Sequence, residues 1–504
     1  MKHSLTTVFS IAIVLTLLFH RSYWGLNLSI FQLTLVLFLY FSGRLKLTGS
    51  LIKILTVSTL LSAIAVTLVN SYLAICVNLL VFFAFLGALH VPALRSLLSA
   101  LGVWLSNFVL SHAAFFSALG SSHYHGFKLK TLAKRFSIFF LPLLVIGLFI
   151  IIYRTANPVF NDYAQKLATY INDGLVKVFG NWDAFYIFSF ILSLFVANQI
   201  VFTNPNTWLT LLDANAKDVM LRARPKWKSP FKPNGLRNQS KAGIFLLATL
   251  NLLLLMVNVI DINWVWLNFT WNGAFLKQFV HEGTYLLIIS ILISIAVVLF
   301  FFKGNLNFFS KNTLIKYLSY IWLAQNAILA SSVAMRNIWY IHYYSLAYKR
   351  IGVFIFLLIT IFGLFAVLLK VKEQKTAFWL FKVNSLAILL ILLLSSFVNW
   401  DLVIARYNIK HAGKSFLHLD FMAQLSDKAL PYLAVDSTRL NKVLSEQQNM
   451  FKGSVKYMDA AEYHERINLR TQRFLNEYTQ RKWQEWNLPD YLAYKKLQAE
   501  KDKR

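Results

Sequence analysis

Sulfur, acid and charge are all scarce in this chain of 504 residues. Cys76 is the single cysteine, which excludes intramolecular disulfides and zinc sites built on thiolates. Charged residues make up 14% of the sequence, against about 25% in an average soluble domain. Asp and Glu number 21 beside 50 Lys and Arg, and 13 of those 21 acids lie after residue 398. Missing too are a glycine-rich phosphate loop, a His-Glu-x-x-His helix and a nucleophile elbow, so no catalytic motif and no cofactor site speaks for an enzyme. No period of about 20 to 50 residues recurs, which argues against a solenoid.

What is present is oil. Apolar residues reach 57%, a composition that excludes a soluble globular enzyme, a disordered chain and a disulfide scaffold. The net charge of +29 would suggest nucleic acid, but a nucleic-acid binder gathers Lys and Arg on a soluble face. Here they punctuate long apolar runs, which predicts a lipid bilayer as partner and no nucleic acid.

A helix needs about 20 apolar residues to cross roughly 30 Å of hydrocarbon. Runs of that kind cover 136–153, 182–202, 242–262, 284–302, 314–335, 351–369 and 378–398, and upstream 5–19, 26–41, 51–69, 72–91 and 97–119. The expected fold is therefore all-α, a polytopic transmembrane bundle of about 12 helices with a small helical tail. Its predicted divisions are N-terminal transmembrane helices over 1–135, a core transmembrane domain over 136–398, and a soluble tail over 399–504. Lys2 and the run after it resemble a secretory signal, but His20, Arg21, Tyr23 and Trp24 stand where small cleavage-site residues belong, so the segment reads as an uncleaved first helix.

Cytoplasmic loops retain Lys and Arg. The connections 203–241, 303–316 and 370–376 hold 14 basic residues, and the alternate set, 154–181, 263–283 and 336–350, holds 7. This bias predicts the first set inside and the tail outside, in the periplasm. Twelve helices then leave Arg44, Lys46 and Lys53 outside, which conflicts with their charge. The 203–241 connection carries Arg222, Arg224, Lys226, Lys228, Lys232, Arg237 and Lys241, so contact with anionic lipid is expected there, beside a plain topogenic role.

Polar side chains at bilayer depth are costly unless paired. Asn251 and Asn258 are two turns apart on one helix face with Asp261 about 60° further round, and Gln325 and Asn326 sit mid-run in another helix. These four amides are candidate site residues, lining either a solute path or a set of interhelical hydrogen bonds. Lys382 is placed to reach the inner surface by its butyl chain. His123 and His125 lack further metal ligands nearby and read as a solvated loop. Aromatic groups around 264–271 and 339–348 suit the headgroup level on the outer face, as does the amphipathic stretch 157–179. In the tail, Phe416 to Leu425 has helical spacing, and Asp436, Ser437 and Thr438 signal a helix start.

Several phrases together resemble a bacterial family of polytopic membrane proteins, the domain of unknown function forty-one seventy-three with its sister group. They are Ala156-Asn157-Pro158-Val159-Phe160, His281-Glu282-Gly283-Thr284, Leu323-Ala324-Gln325-Asn326-Ala327, Met335-Arg336, Tyr344-Ser345-Leu346-Ala347-Tyr348-Lys349-Arg350 and Ile404-Ala405-Arg406-Tyr407-Asn408-Ile409. The likeness spans roughly residues 136 to 435. Where the family pattern reads Tyr-Gly-Leu-Thr, this chain has Tyr344-Ser345-Leu346-Ala347. The resemblance implies an inner-membrane location and supplies no activity, catalytic residue or cofactor. Glu282, Arg336, Lys349 and Arg350 fall within its phrases on one expected face, where they either form a charge-paired outer vestibule or stabilise loop packing. Two functional classes stay open. One is a transporter-like handler of a small or lipid-like solute, favoured by size and the mid-depth amides; the other is a non-catalytic scaffold or sensor in envelope signalling or assembly.

Overall fold

The computed structural model describes residues 2–121, 146–147, 149–150, 153–155, 157–179, 184–202, 207–222, 235–269, 273–450 and 458–502. Helix dominates them because hydrocarbon offers the backbone no partner outside its own segment. Among the described residues, strand pairing is limited to two isolated bridges, Val219 with Lys375 and Ala412 with Ser415. The chain forms two compact units, Met1–Asn215 with Lys482–Asn487, and Ala216–Arg481 with Leu488–Arg504. Most of the run at 136–153 and the histidines at 123 and 125 lie outside the described residues.

The first unit holds α1 (Lys2–Phe19), α2 (Leu26–Phe41), α3 (Ser50–Val69), α4 (Tyr72–His90), α5 (Leu97–Ser121), α6 (Pro158–Phe179), α7 (Ala184–Val201) and α8 (Thr207–Asn215). α3 and α4 have the length and apolarity to cross a membrane, and α5 has them as a pair of segments bent by 41° between Phe108 and Leu110. The α3–α4 turn is tight because Asn70 adopts the left-handed conformation at φ +48° and the Ser71 hydroxyl then accepts from Ala74 N. α4 and α5 touch backbone to backbone at Gly87, where a Cβ would fall 1.9 Å from the Ala100 carbonyl oxygen. Small residues permit such approach in membranes.

α8 was part of a basic connection in the sequence reading, yet it packs along α5. The Asp213 carboxylate accepts from Arg95 N at 2.9 Å and Ser96 N at 3.2 Å, capping the start of α5. The segment Lys482–Asn487 lies on the α1–α2 turn, with Leu26 N donating to Trp486 O at 2.9 Å and the Lys482 ammonium donating to His20 O at 3.1 Å. Gly25 admits that approach, since a Cβ there would stand 2.6 Å from the carbonyl oxygens of Glu485 and Trp486.

The second unit begins with α9 (Gly235–Asp261), which loosens into a π turn over Ile262–Leu267, followed by α10 (Gly273–Phe301), α11 (Thr313–Tyr344), α12 (Tyr348–Lys372) and α13 (Ala377–Ser396). α9 with its π turn, α11, α12 and α13 are each long and apolar enough to cross a membrane, which brings the described residues to six such helices. α9 is inside-out for a protein in water: Leu252, Leu253, Leu255, Met256, Val259 and Ile260 are exposed, while Asn251, Asn258 and Asp261 are buried. Only an apolar surrounding favours that arrangement.

Hydrogen bonds gather the three basic connections at one end of this unit. Met220 N donates to Gln374 O at 2.8 Å, the Gln374 amide donates to Asn307 O at 3.1 Å, and the Lys370 ammonium donates to Phe302 O at 3.0 Å. Lys382, expected to reach the surface, pairs with Asp218 at 2.6 Å.

The opposite end carries the tail, in α14 (Trp400–Lys410), α15 (Leu419–Met422), α16 (Leu430–Leu433), α17 (Ser437–Met450), α18 (Ala460–Thr479) and α19 (Leu488–Lys501). Its core of Ile404, Leu417, Met422, Leu430, Tyr463 and Phe474 continues onto Ile351 and Ile355 of α12, so the tail both buries its own core and packs on the bundle. The helix expected from Phe416 to Leu425 is confined to Leu419–Met422, because the Arg470 guanidinium takes the carbonyls of Ala423 at 2.6 Å and Leu425 at 2.7 Å.

Candidate functional site

α9 and α11 run parallel, since their polar pairings climb both helices together. The Asn251 amide donates to Leu247 O at 2.7 Å and to Leu318 O at 3.0 Å, and its oxygen accepts from Gln325 Nε2 at 2.9 Å. Two turns on, the Asn258 amide donates to Gln325 O at 3.1 Å. A further turn places Asp261 between the Ser332 hydroxyl at 2.7 Å and the Arg336 guanidinium at 2.5 Å. The seven-residue steps 251–258 and 318–325–332 keep both polar stripes on the shared face. All of these side chains are buried.

The seam is incompletely satisfied. Asn258 Oδ1, Gln325 Oε1 and Asn326 Oδ1 are buried without a hydrogen-bond partner, although the Asn326 amide itself donates to Trp322 O at 2.7 Å. A buried amide oxygen left unpaired costs about 1–3 kcal/mol. The four amides singled out from sequence thus share one locality on α9 and α11, with Asn251, Asn258 and Gln325 joined directly.

The charged candidates are placed one by one. Arg336 and Asp261 form an ion pair whose side chains are 7% and 8% exposed, so each charge at this depth has its opposite. Arg350 lies over the Tyr340 ring at 4.4 Å from its centroid and donates to the carbonyls of Tyr344 and Ser345, closing the α11–α12 turn. Lys349 is exposed beside it. Glu282 is on α10, and its side chain lies outside the described residues. At this end the Trp339 indole donates to Val265 O at 2.8 Å within the π turn and stacks on Phe269 at 4.8 Å, so the two aromatic groups read from sequence meet. Among the described residues no group of three or more His, Cys, Asp or Glu could hold a metal.

Sequence reasoning passed over His112, Asn198 and Gln199, which the first unit buries together. The signal was available: a lone histidine inside the 97–119 run, and two amides near the end of the 182–202 run. Asp261 had been placed on the right face but not matched to its cation.

Helices that present lipid-soluble faces outward and enclose amides and an ion pair define an all-α membrane helix bundle. The chain belongs to the family described as Domain of unknown function (DUF4153), whose profile matches residues 28–435, from α2 to α16. That designation replaces the forty-one seventy-three under which the phrases were placed. No curated protein and no solved structure matches the chain.

Proposed function

We propose that the chain is a polytopic inner-membrane protein that handles a small polar or lipid-like solute at the α9–α11 seam, with its basic connections in the cytoplasm and its tail in the periplasm. The observation that carries this reading is the trio of buried, unpartnered amide oxygens on Asn258, Gln325 and Asn326. A seam built only to join two helices gains most when every acceptor is paired. Free acceptors at depth suit a solute bearing hydroxyl, amine or amide donors. Exposed Arg237 and Lys241 at the start of α9 suit contact with anionic headgroups on the inner side.

The test is uptake by proteoliposomes across a panel of labelled polar metabolites and short-chain lipid analogues. Asn258→Leu, Gln325→Leu and Asn326→Leu are expected to abolish uptake of the active solute while the chains still insert and fold. A second reading, a scaffold or sensor, is favoured by the attachment of the tail to the α11–α12 turn: Phe416 N donates to Tyr343 O at 2.8 Å, and Asn408 bonds Leu346 N and O at 2.7 and 3.0 Å. Unchanged uptake in all three variants, with cellular function lost only when the tail after Ile409 is deleted, would decide for that reading.

A further inference from the structure

The second unit brings two cations onto one aromatic ring. Arg406 of α14 stands with its guanidinium carbon 4.4 Å from the centre of the Tyr432 ring on α16, and the Lys496 ammonium of α19 stands 3.9 Å from the same centre. Arg406 Nη2 also donates to Tyr432 Oη at 2.5 Å. Three elements thus converge here, and each brings a hydrogen-bond donor. Having accepted from Arg406, the phenol still carries its own hydrogen to offer.

Two like charges gathered at one ring repel each other, so an acid is the expected further member of the cluster. The acids on the neighbouring elements are committed elsewhere. Asp401 of α14 accepts from the Tyr348 and Ser426 hydroxyls, Asp427 pairs with Arg470 at 2.5 Å, and Asp490 of α19 pairs with Arg481 at 2.5 Å. Asp436 caps α17, accepting from Arg439 N at 3.1 Å. Among the described residues neither Arg406 nor Lys496 has a carboxylate within ion-pair distance, Glu500 a turn beyond Lys496 included. Donors of both kinds suit a phosphate, which a guanidinium meets with its planar fork and an ammonium as a point charge.

Position selects the source of that phosphate. α14 begins at Trp400, shortly after the α13 span ends at Ser396, and Trp400 Nε1 donates back to Ser395 O at 3.1 Å. Near its other end Asn408 bonds Leu346 N and O at 2.7 and 3.0 Å, just ahead of the α12 span that starts at Tyr348. α14 is therefore tied at both ends to the margin where spans leave the hydrocarbon, which is the level of lipid headgroups. Val403 shares the exposed side of α14 with Arg406 and suits an acyl chain beside such a headgroup.

We propose that Arg406, Lys496 and the Tyr432 hydroxyl form a phosphate-binding site that holds the headgroup of an anionic phospholipid at the tail end of the second unit. The proposal depends neither on the solute reading of the α9–α11 seam nor on which side of the membrane the tail occupies.

For the test, the full chain is reconstituted in phosphatidylcholine vesicles containing a small fraction of phosphatidylglycerol with a photoreactive headgroup. Mass spectrometry reads the cross-link yield at the peptides of α14, α16 and α19. Unlabelled phosphatidylglycerol is expected to compete, and added phosphatidylcholine is not. Arg406→Gln and Lys496→Gln are each expected to raise about five-fold the mole fraction of phosphatidylglycerol that halves the yield, the worth of one basic residue at an anionic lipid surface. Arg406→Lys keeps the charge, loses the fork, and is expected to fall between. Both side chains are exposed, and circular dichroism of each variant checks the fold; should Arg406→Gln unfold the tail, Lys496→Gln alone reads the effect. Half-competition unchanged in both glutamine variants, or phosphatidylcholine competing as well as phosphatidylglycerol, overturns the proposal. So does loss of the cross-link in millimolar inorganic phosphate but not in sodium chloride of equal ionic strength, which would assign the cluster to a free anion.

Discussion

At the residue scale the Asp261–Arg336 pair dominates, because two charges share one buried place. Removing one partner of a buried pair typically costs about 3–5 kcal/mol, since the charge left behind has no counter-ion. Asp261→Leu and Arg336→Met are each expected to lower the melting temperature of the purified chain in detergent, and the double variant is expected to recover most of the loss. Additive losses in the double variant would show that the two charges do not act as a pair.

Ser345 is the other telling residue. It joins α11 to α12 at φ +66° and ψ 176°, a region that glycine alone adopts freely. Its hydroxyl offsets the strain, lying 2.8 Å from both Ser415 Oγ and Phe416 O. Ser345→Ala keeps the backbone strain and loses those bonds, so a destabilisation of about 1–3 kcal/mol is expected. Ser345→Gly loses the same bonds but relieves the backbone, and is expected to fall closer to the parent protein. Thermal melts of the two variants side by side measure the difference.

At the element scale the tail is stabilised by groups whose burial is pH-sensitive. Tyr463 is 1% exposed and its hydroxyl donates to Leu433 O at 3.0 Å; burial pushes its phenol above the ordinary tyrosine range. Unfolded tyrosine sheds its proton from about pH 10 upward while the folded group holds it, so stability present below that pH is lost as pH rises through it. Lys428 works in the other direction. Burial lowers its ammonium pKa, against the pull of the Asp490, Asp401 and Asp427 carboxylates, so its contribution rises with pH until about 10.4. Circular dichroism melts between about pH 8 and about pH 11 are expected to show a loss above pH 10 that is shallower in Tyr463→Phe. That variant should also be less stable at neutral pH by about 0.5–1.5 kcal/mol, the worth of its hydrogen bond. Equal alkaline slopes in the two proteins would remove Tyr463 as the cause.

The elements themselves were largely legible, because a bilayer demands length and apolarity in one continuous run. Leu26 to Phe41 and Ser50 to Val69 emerge with the bounds their hydropathy implies, to within a residue. α8 escaped detection since nine residues carry no membrane signal, and what fixes it is Asp213 reaching a turn more than a hundred positions earlier in the chain. The seam was half legible. Helical phase put Asn251, Asn258 and Asp261 on one face, but phase along one helix says nothing about which cation a neighbouring helix brings to Asp261.

At the scale of the whole molecule each unit can be oriented by itself from the basic residues at its two ends. In the second unit the connections richest in Lys and Arg meet around Asp218, Asn307 and Gln374, and the tail lies at the other end. In the first unit α7 is antiparallel both to α1, through Ala197 against Val8 and Ala12, and to α5, so α1 and α5 run the same way. The α2–α3 and α4–α5 connections, carrying Arg44, Lys46 and Arg95, therefore lie at one end together with Asn215, and the α1–α2 turn holding Lys482–Asn487 lies at the other. The positive charge of Arg44, Lys46 and Arg95 predicts that their end faces the cytoplasm, whereas the twelve-helix count had put Arg44, Lys46 and Lys53 outside. Green fluorescent protein fused at residues 45 and 220 is expected to fluoresce in the cytoplasm, and alkaline phosphatase fused at 504 to be active outside it. An active phosphatase at 45 would invert the first unit. An inactive one at 504 would invert the second, and with it the assignment of Arg336, Lys349 and Arg350 to an outward-facing end.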